Sequence, residues 1–103
     1  MKTRQEAQAI MQPEVERYPS TAKLHLSMKP LRPREFQLAL GEMEPEDRPH
    51  LEGSWVGLLD LFPDARWAHP VRYLLVDPDG ALRGFDARWF PDNWQNAFRE
   101  GGQ

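Results

Sequence analysis

Between residues 22 and 29 apolar and polar side chains alternate without a break. Ala22, Leu24, Leu26 and Met28 are apolar, and Lys23, His25, Ser27 and Lys29 are not. Successive side chains of a strand point to opposite faces, so this period of two predicts a half-buried strand. A second apolar run, Val71-Arg72-Tyr73-Leu74-Leu75-Val76, ends at Asp77-Pro78-Asp79-Gly80, and Ala81 to Trp89 forms a returning stretch. Proline presets φ at the second turn position, aspartates bond nearby amides, and glycine accepts positive φ. The segment reads as a β-hairpin, expected at the centre of a sheet with strand 22–29 beside it.

Other segments follow a helical rhythm. Thr3-x-x-Glu6 has the form of a capping box, and Ala7, Ile10 and Met11 recur at helical spacing behind it. Pro13 lacks a donor and crowds the preceding turn, so the helix should end or kink there, with Glu14 to Tyr18 adding a turn. Ser54 stands where it could cap a short helix over Trp55, Val56, Leu58, Leu59 and Phe62, closed by Pro63. The apolar side chains on nearly every side of that segment imply burial on more than one face. Pro91-Asp92-Asn93 leads into a C-terminal helix over Trp94, Ala97 and Phe98, with Gly101-Gly102 as its stop.

Two stretches are less regular. Residues 34–43 fit a strand through Phe36, Leu38 and Leu40 and a helix through Phe36, Ala39, Leu40 and Met43; Gly41 and the alternation favour the strand. Glu42 to Gly53 is acidic, interrupted by Pro45 and Pro49, and reads as a long exposed loop. Together the segments predict one small α+β domain. It is expected to hold an antiparallel sheet of three to four strands with short N-terminal and C-terminal helices.

Composition narrows this picture. The 103 residues suffice for one domain, and 40% are hydrophobic, including four Trp, five Phe and two Tyr, enough for a core. The chain has no cysteine, which removes thiol catalysis and thiolate metal sites and favours a reducing compartment. No apolar run approaches the length of a membrane span and no leader pattern opens the chain, so a cytoplasmic protein is expected. Charge is uneven: residues 1–34 carry seven Lys/Arg against three Glu, and residues 35–64 eight Asp/Glu against one Arg. The basic third is diffuse and opposed by the acidic middle, which argues against nucleic acid as a partner. An acidic face carrying Glu44, Glu46 and Asp47 would instead suit a protein with a basic surface.

Candidate chemistry is sparse. His50-Leu51-Glu52 is the sole close His/carboxylate pair, too little for a zinc site, so no metal or cofactor is expected. Asp77-x-Asp79-Gly80 lacks the further oxygen ligands of a calcium loop. None of Ser20, Ser27 and Ser54 lies in a nucleophile elbow, and no glycine loop carries the Lys-Ser/Thr of a phosphate cradle. The tetrapeptide Asp64-Ala65-Arg66-Trp67 recurs at residues 86–89, but the flanks differ and no repeat period is sustained.

The aromatic residues are more informative. Trp89, Phe90, Trp94 and Phe98 fall close together with Arg88 and Arg99 among them, and aromatic residues with arginine are enriched at interface centres. Trp89, Trp94 and Arg88 are therefore the candidate contacts of this region. The balance favours a non-catalytic module that binds and modulates another protein. An inhibitor, an accessory subunit or an immunity-type protein would fit, of the kind that phages and mobile elements encode. The alternative is a small homodimeric enzyme or ligand-binding protein with a pocket using His69, Tyr73 and an aspartate.

Overall fold

The computed structural model describes residues 2–31, 53–64, 70–87 and 98–100. One helix, α1 (Arg4–Val15), precedes five strands: β1 (Lys23–Ser27), β2 (Trp55–Asp60), β3 (Val71–Val76), β4 (Leu82–Ala87) and β5 (Phe98–Glu100). They form one antiparallel sheet in the order β4-β3-β2-β1-β5, so the architecture is α+β.

Helix α1 starts where the capping box places it. Thr3 Oγ1 accepts from Glu6 N at 3.1 Å, and Glu6 Oε1 accepts from Thr3 N at 3.0 Å, satisfying donors that have no partner inside the helix. Pro13 does not end the helix, which runs on to Val15. The proline is exposed and lies in the last turn, where few intrahelical bonds remain to be lost. Beyond it Glu14 bonds Arg72 on β3, and Val15 packs against the core. These contacts oppose the unwinding that a proline favours.

Both faces of the sheet are apolar. Ala7 and Met11 of α1 pack on Leu24, Leu26, Trp55, Leu59, Leu74 and Val76. Val56, Leu58, Val71, Tyr73, Leu75, Ala87, Phe98 and Leu31 form a second buried cluster on the opposite face. Two side-chain groups seat the N-terminus. Trp55 Nε1 donates to Lys2 O at 2.9 Å, and the Arg4 guanidinium donates to Ser27 O, Leu26 O and Arg99 O.

The hairpin of β3 and β4 forms as its sequence requires. Gly80 N donates to Asp77 O at 2.9 Å and Asp77 N to Ala81 O at 3.1 Å, with Gly80 at φ 90°. These two bonds and the left-handed glycine are the pattern of the usual three-residue hairpin loop. Asp77 Oδ1 accepts from Asp79 N and Ala81 N, so the carboxylate serves the turn.

Four expectations need correction. The segment after Ser54 is no helix: Trp55–Asp60 is strand β2, buried along its whole length between β1 and β3. The hairpin consequently lies at one end of the sheet, and strand 22–29, observed as Lys23–Ser27, pairs with β2 rather than with the hairpin. Among the described residues the sheet has five strands, not three to four. Phe98, assigned to a C-terminal helix, opens β5, which pairs with β1 through Phe98 opposite Ser27. The remainder of that expected helix, residues 94–97, its lead-in 91–93, the segment 34–43 and the expected loop 42–53 up to residue 52 lie outside the described residues.

Candidate functional site

Lys23 pairs with Asp60, so the entry to β1 and the exit from β2 lie side by side. The carboxylate of Asp60 accepts from Phe62 N at 3.2 Å, a local turn bond that carries the chain out of the strand. The strand ladder ends with Leu61 N donating to Pro70 O at 3.3 Å. Phe62 follows this last rung and is 59% exposed, the most exposed large apolar residue in the described chain.

An open cleft of about 540 Å³ lies here, lined by Gln8, Gln12 and Val15 of α1, Ser20 to Leu24, and Pro63-Asp64. Residues three and four apart share one side of a helix, which is why Gln8, Gln12 and Val15 line it together. A second cleft of about 310 Å³, lined by Leu61 and Phe62, shares Thr21, Pro63 and Asp64 with the first. The two make one surface: amides, hydroxyls, an ammonium and a carboxylate at one end, and an aromatic ring at the other. Gln12 Nε2 reaches Glu16 Oε1 at 3.4 Å. Neither Lys23 nor Asp64 is held in an ion pair among the described residues.

A second polar group lies under the end of α1. Arg72 projects from β3 on the helix side; its Nε donates to Glu14 Oε1 at 2.8 Å and its Nη1 to Asp86 Oδ1 at 3.0 Å. Arg17 Nη1 donates to Glu14 Oε2 at 3.1 Å. Burial pushes the Glu14 carboxyl up, but the hydrogen bonds from Arg72 and Arg17 outweigh it and hold the group below its ordinary value. The folded state therefore favours the carboxylate. Its stabilisation is present above the ordinary glutamate range and is lost as pH falls through the lower, folded value. Glu14→Gln is expected to cost about 1–2 kcal/mol at neutral pH and to flatten the acid side of the stability curve. Denaturant unfolding at a series of pH values checks this, and parallel curves for the two proteins would refute it.

The residues singled out from sequence fare unevenly. Arg88, Trp89, Trp94, Glu44, Glu46, Asp47 and His69 lie outside the described residues. Tyr73 is 1% exposed, and its ring stacks on Phe85 with centroids 4.9 Å apart and planes 13° apart. It belongs to the core cluster and lines neither cleft. The cleft residues themselves were not distinguished by sequence. The one available signal was Phe62, a large apolar residue caught between the strand-ending Asp60 and Pro63. Among the described residues no three His, Asp or Glu side chains converge as a metal cage, and no helix is long and apolar enough to cross a membrane. The chain matches no family model, no curated protein and no solved structure.

Proposed function

We propose that this chain is a non-catalytic module that binds another protein and modulates it. The observation that carries this reading is the exposed Phe62 ring at the apolar end of an open cleft whose other walls are hydrogen-bonding side chains. Interface centres combine an aromatic anchor with a polar surround, whereas small-molecule sites are usually concave and mostly apolar. The uncharged walls contributed by Gln8, Gln12, Ser20 and Thr21 can serve backbone amides and carbonyls of an incoming segment equally well. The acidic stretch with Glu44, Glu46 and Asp47 makes a partner with a basic surface the expected one, and Arg88, Trp89 and Trp94 would extend the contact.

Affinity capture from the host lysate, run with the wild-type chain and with Phe62→Ala, tests the reading. The expected result is one stoichiometric partner on the wild type, with binding weakened by about tenfold or more in the variant and an unchanged melting temperature. Capture that is indifferent to Phe62→Ala would remove the cleft as the contact.

A further inference from the structure

The sheet offers a second surface, separate from the cleft. Among the described residues β4 has β3 on one side and no strand on the other. Leu82, Gly84 and Asp86 are all exposed, Asp86 with 77% of its side chain open. The backbone direction follows from the hairpin. Asp77 N bonds Ala81 O, so the bonded pairs of this ladder recur at Leu75 with Arg83, Tyr73 with Phe85 and Val71 with Ala87. The N–H and C=O groups of Leu82, Gly84 and Asp86 consequently point away from β3. An edge of this kind is usually blunted by charged side chains of one sign, lysine above all, by proline or by a bulge, and β4 carries one charge of each sign, Arg83 and Asp86. Residues 82–87 contain neither lysine nor proline, and their pairing with β3 runs without interruption.

We infer that β4 is a self-pairing edge, through which two copies of the chain join antiparallel about a two-fold axis at Gly84 into one continuous sheet. The occupant is a second copy because the edge is complementary to itself. A two-fold axis normal to the sheet keeps each face on its own side, so only residues of the same face can stand opposite one another. Centring on Arg83 would set two arginines directly opposite, a repulsive pair. Centring on Phe85 would pair Gly84 with Asp86 and leave Leu82 without a bonded counterpart among residues 82–87. Centring on Gly84 uses every outward group: Leu82 pairs with Asp86, Gly84 with Gly84, and Asp86 with Leu82, two bonds to each pair. It also sets Arg83 opposite the half-buried Phe85 of the other copy, a basic residue against an aromatic one. Arg83 and Asp86 leave the strand without net charge, so the two edges do not repel.

Sedimentation or light scattering across a concentration series is expected to give a dimer for the wild-type chain. Gly84→Pro removes an outward donor that β3 does not use, and is expected to weaken dimerisation by at least about tenfold. A Cβ at this position would lie 2.9 Å from Arg72 Nη2 and 3.3 Å from Leu74 Cδ2. The Arg72 guanidinium, held by Glu14 and Asp86, must therefore give way by a few tenths of an ångström, and the melting temperature of each Gly84 variant is measured beside its oligomeric state. Should the proline variant fail to fold, Gly84→Cys decides. In a chain without cysteine, mild oxidation should yield a covalent dimer, because bonded antiparallel partners stand about 5.5 Å apart at Cα, within disulfide reach. A wild type that stays monomeric at every concentration overturns the inference. So does a dimer that is indifferent to Gly84→Pro, or a Gly84→Cys variant that forms no cross-link.

Discussion

Replacing Tyr73 by alanine is expected to lower stability by about 3–5 kcal/mol, the range for deleting a large buried aromatic ring. Small domains are stable by only about 5–15 kcal/mol, so this one change removes roughly a fifth or more of the total and should drop the melting temperature by roughly 15–30 °C. Position is the reason. Tyr73 lies in β3, between β2 and β4, opposite Leu58 on one neighbour and Phe85 on the other. It shares its cluster with Val56, Val71 and Leu75. Its ring both fills that space and stacks on Phe85, so alanine leaves a cavity and an unpaired aromatic face. Tyr73→Phe keeps the ring and should cost far less, about 0.5–1.5 kcal/mol. Denaturant or thermal unfolding of the two variants separates a core role from a pocket role. A residue that served a ligand pocket would leave stability nearly unchanged on truncation, and a loss below about 1 kcal/mol for Tyr73→Ala would remove it from the core.

Tyr73 also illustrates how far the sequence could be read. Its strand was legible because Asp77-Pro78-Asp79-Gly80 specifies a turn through local chemistry, and Gly80 indeed takes φ 90°. β1 was legible because it alternates between Leu24 and Leu26 on the helix side and Lys23 and His25 on the other. β2 hid for the opposite reason. It is the middle strand, with Trp55 and Leu59 under α1 and Val56 and Leu58 on the far face, so burial on both sides erases the alternation. What remained was an apolar block after a serine, which mimics a capped helix. Its short length and the flanking Gly53 and Pro63 were the available signs of a buried strand. β5 spans Phe98–Glu100, too few residues for any period, and its partner β1 lies far away in sequence.

The cleft was hidden in the same sense. Gln8, Thr21, Lys23 and Asp64 are ordinary surface residues until the register of β1 against β2 sets the start of one strand beside the end of the other. Local pattern carries the turn and the cap, because both are satisfied within a few residues. Long-range pairing carries the strand order and the site, and no local window contains it.

Gly57→Val is expected to destabilise the chain by about 3 kcal/mol, and Gly57→Ala by about 1 kcal/mol, although strand propensity alone would make both changes favourable. The opposition of signs is what makes the pair informative. Gly57 is in β2 on the face that carries α1, paired with Leu26 on one side and Leu74 on the other. A Cβ there would lie 2.6 Å from Met11 Sδ, 3.2 Å from Met11 Cε and 3.1 Å from Leu24 Cδ1, closer than such atoms pack. Met11 is fully buried, so its thioether can yield only by displacing Leu59, Leu74 or the helix itself. The glycine is therefore present for space, and it sets how closely α1 seats on the sheet. Trimming the obstacle should return part of the loss: Met11→Ala in the Gly57→Val background is expected to cost less than the two single changes together. Strict additivity in that double-mutant cycle would mean that the two side chains do not compete for one volume. In that case α1 would not be seated on Gly57, and a Gly57→Val change that stabilised the chain would mean the same.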